Sequence, residues 1–264
     1  MMAPKLRVRA LGTELASRLE AEPRLPRPHS VFTRAVNFET VDGTLFAVHG
    51  PGPLAAPFAI ALERWRDDVA DGGLTLDLGR ARRVDLRVRP AWEFAEHARR
   101  LLRDGLLTTR GARGARGLDS PGARAARAAL SGAIRRRDAA DFLDAARELV
   151  GLGEGLTPAG DDYLVGTLAV LHRLAGGWPG AASVARALGA HAGDATTSLA
   201  AAFLRHAVAG QFSEPLRDLA MAESAAAARV AAATLAGMGA TSGADTLAGV
   251  RAALDALARA DVRA

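Results

Sequence analysis

Two short stretches hold the residues best suited to chemistry: AGDDYLVG at 159–166 and SGADTLAG at 242–249. They share the frame small-Gly-x-Asp-x-Leu-x-Gly, 83 positions apart. In each, a glycine follows the shared aspartate by four residues, Gly166 after Asp162 and Gly249 after Asp245. On a helix that spacing puts glycine and carboxyl on one face, where another backbone can approach closely. Asp161 and Asp162 both fall near the apolar side of such a helix, an unusual position for acids that only meet water. Upstream, Gly151, Gly153 and Gly155 make a glycine loop, and Thr157-Pro158 reads as N-cap and first helical residue. In the second copy Gly237 and Gly239 break a helix and Thr241 or Ser242 caps the next. Ser242 and Asp245 also have the spacing of a capping box.

Two helix starts facing a common site would bring together donors for an anion and carboxyls for a substrate amide or a divalent cation. The expected catalytic residues are Asp161, Asp162 and Asp245. The expected substrate- and anion-binding residues are Gly153, Gly155, Thr157, Gly160, Thr241, Ser242 and Gly243. A third cluster, DATTSLAAAFLRHA, starts a helix capped by Asp194 or Thr196 and could add Thr197 and Ser198. The structural alternative is capping alone, with each acid favourably placed on a helix dipole. Capping does not call for a glycine one turn inside the helix, where it costs about 1 kcal/mol against alanine. No residues are assigned as metal ligands: His172 reads as a core histidine on the Leu164–Leu168 stripe, and His191 and His206 lack ligand spacing. Gly151-Leu-Gly-Glu-Gly follows a helix rather than a strand, which argues against a dinucleotide loop.

Composition narrows the classes further. The 264 residues contain no cysteine, which removes disulfides, thiolate nucleophiles and cysteine-ligated metals. A formal charge of +5 invites a nucleic-acid reading. Lys5 is the only lysine, however, and the arginine-rich run from Arg80 to Arg137 is interrupted by Asp85, Glu93, Glu96, Asp104 and Asp119. With 5% aromatic residues there is little for bases to stack on, so no nucleic-acid partner is expected. No stretch has the length of a signal peptide's apolar core or of a membrane span, and a cytoplasmic location without membrane contact is expected.

The elements that must position these residues form an α+β pattern. The opening tenth spaces Leu11, Leu15 and Leu19 as a helix and breaks at Pro23, Pro26 and Pro28. From Ser30 the period becomes two: SVFTRAVNFETV and TLFAVHG flank an Asp42-Gly43 hairpin turn, and FAIALE, LTLDL and VDLRVRP follow. Residues 30–90 therefore predict a small antiparallel β-sheet or barrel. AWEFAEHARRLLRDGLL then has helical spacing, a Gly/Arg loop runs over 111–117, and helix-forming Ala, Leu and Arg dominate from Ser120. The expected division is a β-rich part with flanking helices over 1–115 and an all-helical domain over 116–264.

Gly151–Gly166 in the form GLGxGLTPxGDDxLVG, Thr196–Gly210, and Thr241–Gly249 in the form TSGxDxLxG together resemble a bacterial family long catalogued as a domain of unknown function. One member is the small subunit associated with oxamate carbamoyltransferase of anaerobic allantoin catabolism. The resemblance implies a part in splitting oxalurate with phosphate into oxamate and carbamoyl phosphate. It also implies an acyl-CoA-synthetase-like partner subunit and another large subunit, with phosphate as co-substrate; no cofactor is assigned, and Mg is left open. It assigns no catalytic residues. Two other classes remain open from the residues alone: a stand-alone Mg-dependent hydrolase, in which Mg sits on the paired aspartates, and a non-catalytic scaffold or regulatory subunit.

Overall fold

The computed structural model describes residues 5–90, 118–173 and 181–260. The chain is α+β and divides into two compact units, 1–86 and 87–264. The helix expected over AWEFAEHARRLLRDGLL, the loop over 111–117 and the boundary near 115 lie outside the described residues.

In the first unit the strands are β1 (Lys5–Gly12), β2 (Pro28–Phe32), β3 (Ala35–Glu39), β4 (Leu45–His49), β5 (Ala59–Leu62), β6 (Thr75–Asp77) and β7 (Arg82–Val84). They order as β2-β3-β4-β5-β1-β6, with β7 also on β1. The Asp42-Gly43 turn joins β3 to β4 as expected, with Gly43 at φ +77°, a left-handed conformation that suits glycine. Two expectations need correcting. The sheet is mixed rather than antiparallel, because β4 with β5, β1 with β6 and β1 with β7 run parallel. And Lys5–Gly12, placed in a helix by its leucine spacing, is the strand β1; only Thr13–Ala21 is helical (α1). Lys5, Arg7 and Arg9 face out while Leu6, Val8 and Ala10 are buried, so alternation outweighed the i, i+4 leucines that continue into α1.

The second unit is helical: α2 (Pro121–Arg136), α3 (Ala139–Arg147), α4 (Ala159–Arg173), α5 (Ala181–Ala195), α6 (Ser198–Val208), α7 (Glu214–Ala220), α8 (Ala225–Ala236) and α9 (Ser242–Ala260). Capping explains most of the starts. Ser120 accepts from the Ala123 amide ahead of Pro121, Asp138 from Ala140 and Asp141, and Ser224 from Ala227. Every residue from Ala159 to Leu171 is buried, so α4 is the central helix of this unit. Against it lies α9, whose Leu247, Val250 and Leu254 are buried. VDLRVRP forms a strand only as far as Val84; beyond it Arg87 makes an isolated bridge to Gln211 and the Val88 amide donates to the Gly210 carbonyl.

Candidate functional site at paired helix starts

The twin motifs meet. A Cβ on Gly166 would lie well inside 3.0 Å of the Thr246 carbonyl, and one on Gly249 equally close to the Tyr163 carbonyl. The next contacts are also reciprocal: Gly166 with the Val250 amide at 3.0 Å, Gly249 with the Thr167 amide at 3.1 Å. Each partner is the other's equivalent shifted by the motif spacing, so α4 and α9 pack about a local twofold with backbone against backbone. The Thr167 hydroxyl donates to the Tyr163 carbonyl at 3.0 Å and reaches the Gly249 carbonyl at 3.4 Å, closing the seam. The leading glycine of each motif has its own reason. Gly160 lies against the Leu149 carbonyl and Gly243 against the Leu235 carbonyl, each just where the preceding helix ends. Glycine is needed at all four positions because any side chain would collide with main chain.

This packing brings the two shared acids together. Asp162 is 6% exposed and Asp245 3% exposed. Burial drives the Asp162 carboxyl up from 3.8 to about 8, with the nearby charges of Asp245 and Asp161 adding to it. The Ser242 and Thr157 side chains face the same carboxyl and oppose the rise only partly. Its Oδ2 is buried without a hydrogen-bond partner. At neutral pH Asp162 is therefore mostly a neutral carboxylic acid. Thr157 and Ser242 are half-buried, and their hydroxyls form a rim against the Asp162 carboxyl; Thr241, also half-buried, precedes Ser242.

Asp161 has a different task. Its Oδ1 accepts from the Gly151 amide at 3.1 Å and its Oδ2 from the Thr196 hydroxyl at 2.6 Å. Burial raises its pKa as well, and these two bonds hold the rise back. It ties the glycine loop and the segment before α6 to the start of α4. Thr196 is the participant that sequence reasoning passed over. In a Thr-Thr pair only one residue can cap, which leaves the other side chain for the neighbouring element.

Several local assignments shift. Thr197, not Asp194 or Thr196, caps α6: it accepts from the Ala200 amide at 3.1 Å and donates to the Leu156 carbonyl at 2.6 Å. Ser198 is the exposed first residue of that helix. Thr157 does not cap α4, because the Pro158 carbonyl accepts the first helical bonds, from Asp161 and Asp162, and α4 begins at Ala159. Thr157 is turned towards Asp162 instead. The Thr241 carbonyl accepts from the Asp245 amide, and Ser242 opens α9. The Gly160 amide donates to the Leu152 carbonyl and the Gly243 amide to the Met238 carbonyl, so both are committed to holding their loops. Gly153 (φ +124°) lies 2.7 Å, at its Cβ position, from the Ala159 amide; Gly155 (φ +91°) is in open space. Among the described residues, the amides of 153–157 donate to no backbone carbonyl.

His172 behaves as a core histidine. Its ring packs edge-on to Phe212 with centroids 5.8 Å apart, and burial lowers its pKa against the pull of the Ala207 and Val208 carbonyls. Among the described residues no group of three or more histidines and acids is arranged to hold a metal ion. No helix among them is long and apolar enough to cross a membrane.

The seam, the two acids and the glycine loop all lie within residues 149–254, which match the family model described as oxamate carbamoyltransferase subunit AllH. That match supports membership of the AllH family. The match runs from Leu149, whose carbonyl Gly160 packs against, to Leu254 in the core of α9, so both motifs and everything between them are included. No curated protein and no solved structure matches the chain.

Proposed function

We propose that this protein is one subunit of an enzyme that transfers a carbamoyl group between a small ureido acid, such as oxalurate, and phosphate. The paired starts of α4 and α9 form its substrate site. In the phosphorolytic direction a phosphate oxygen bonds to the carbamoyl carbon, the bond from that carbon to the amide nitrogen breaks, and the nitrogen takes up a proton. The products are carbamoyl phosphate and oxamate. The observation that carries this reading is the meeting of Asp162 and Asp245 behind the Thr157–Ser242 rim, within the segment that matches the family. Such a reaction needs carboxyls to hold substrate N–H groups, donors for the carbonyl oxygen as charge builds on it, and a place for phosphate. Asp245 serves the first need; the neutral Asp162 carboxyl, framed by the Ser242 and Thr157 hydroxyls, serves the second. The loop at 153–157, where left-handed glycines leave main-chain amides uncommitted, suits the third. A large partner, of the acyl-CoA-synthetase-like kind, completes the enzyme.

The test is reconstitution with the partner subunits and measurement of phosphate-dependent carbamoyl phosphate formation from oxalurate. Asp245→Asn is expected to lower turnover about a hundredfold while leaving the melting temperature within a few degrees. Full activity in both Asp245→Asn and Asp162→Asn would sink the assignment of the site. Absence of any carbamoyl transfer by the wild-type assembly would sink the reaction.

A further inference from the structure

The acid pair contains a mismatch that the fold has not removed. Asp162 is only 6% exposed, yet its Oδ2 meets no hydrogen-bond partner. Leaving a buried polar atom unsatisfied is destabilising, and a core position seldom keeps such a group without a use for it. The backbone seam at Gly166 and Gly249 holds the two helix starts together and gives the side chains little freedom to turn away. The charged groups that bear on Asp162 are Asp245 from α9 and Asp161 from its own helix; Ser242 and Thr157 are the polar neighbours. Both charged groups are acids.

We propose that Asp162 and Asp245 share a single proton, carried by Asp162, and that this acid–carboxylate pair binds the planar edge of a carboxamide or ureido group. The Asp162 O–H donates to the ligand's carbonyl oxygen, and Asp245 accepts from the N–H on the same edge. Two carboxylates would offer acceptors only, and two neutral acids would lack a strong acceptor. One proton between two carboxyls gives one donor and one strong acceptor side by side, the complement of an amide. The Ser242 and Thr157 hydroxyls frame that edge from the rim. The same O–H would sit on the carbonyl oxygen of the transferred group. This inference rests on the substrate site proposed above and adds the chemical form in which the site works.

The experiment is calorimetric binding of N-carbamoylglycine to the full chain, and to the assembled enzyme, between pH 6 and 9. The ligand's carboxylate stays ionised over this range, so any pH dependence belongs to the protein. Affinity is expected to be level below about pH 8 and to fall about tenfold per pH unit above it, with uptake of one proton per ligand bound. Uptake is read from buffers of different ionisation enthalpy. Asp162→Asn, whose amide N–H replaces the O–H, is expected to bind within about tenfold of wild type and to lose the pH dependence. Asp162→Leu is expected to lose binding. Affinity that rises with pH, proton release on binding, unchanged affinity in a folded Asp162→Leu, or no binding to either wild-type form would overturn the proposal. Binding that follows this pH law without carbamoyl transfer would leave the acid pair standing and remove the reaction. Transfer with binding indifferent to Asp162 would do the reverse.

Discussion

Adjacent carboxyls at 161 and 162 leave the first turn of α4 in different directions, and their surroundings set their roles. Asp161 spends both oxygens on the Gly151 amide and the Thr196 hydroxyl, so it behaves as a clasp. Asp162 faces a second acid and keeps an oxygen unpaired. The difference has a consequence for stability against pH. In the unfolded chain Asp162 titrates near the ordinary 3.8, whereas in the folded chain it titrates near 8. A raised folded-state pKa means that the folded form binds the proton more tightly. The group's full contribution is present below about pH 4 and is lost as pH rises through 8. The decline is at most about 1.4 kcal/mol per pH unit for one proton, and Asp161, whose pKa is also raised, acts in the same direction. Urea denaturation at pH 5, 6, 7 and 8 should show wild-type stability falling and Asp162→Asn much flatter. Parallel slopes for the two proteins would exclude Asp162 as the source. Which of the two acids would clasp and which would stay unpaired was not readable in the sequence, because both occupy the inner half of the helix. The choice is made by residues 35 and 83 positions away, Thr196 and Asp245.

At the scale of elements, four glycines do most of the positioning. Gly166→Ala or Gly249→Ala would drive a methyl into a main-chain carbonyl of the facing helix, which cannot rotate aside. A loss of about 3 kcal/mol or more is expected, seen as a lower denaturation midpoint. Gly193→Ala is the internal control. It lies exposed near the end of α5 with nothing within 4 Å of its Cβ position, and should raise stability by up to about 1 kcal/mol. If Gly166→Ala were as well tolerated as Gly193→Ala, the seam would not be close-packed. The repeated glycines were legible in the sequence because a glycine inside a helix is costly and so stands out. The Asp42-Gly43 hairpin and the caps at Ser120, Asp138 and Ser224 follow equally local rules. Where two rules competed, locality was not enough. Thr157-Pro158 has the form of a cap, but the loop before it is held so that Pro158 supplies the carbonyl and Thr157 turns to Asp162. Lys5–Gly12 fits both periods, and only its neighbours β5, β6 and β7 decide for the strand.

For the whole molecule, the division at 86/87 separates two self-contained interiors. One core of the second unit runs from Val88 through Phe142, Tyr163 and Leu204 to Leu254 and Ala256, all within that unit. A fragment beginning at Arg87 is therefore expected to fold alone, with a helical circular-dichroism spectrum and a single cooperative melt. A fragment that stays unfolded under conditions where the full chain is native would show that the first unit is needed to complete that core. The fragment should start no later, since the Val88 amide and the Arg87 bridge tie this segment to Gly210 and Gln211. The sequence suggests a division near 115, at the Gly/Arg loop before the helix-forming run, which lies outside the described residues; that Arg87 and Val88 join the helical unit rests on contacts that no local pattern announces.

The crossing of α4 and α9 acts as a gauge block. Where two helices meet through leucines, a methyl added or removed changes their separation, and the distance can be adjusted by ordinary substitution. Here the separation is set by the radii of two carbonyl oxygens and two α-carbons, which no allowed side chain alters. The gap between Asp162 and Asp245 is thus inherited from atoms every residue possesses. What can vary is what stands in front of that gap: Thr157, Thr241 and Ser242 lie outside the seam and are free to change. A family built on this crossing would keep its acid spacing fixed while exchanging the residues at the mouth, and with them the molecule it accepts.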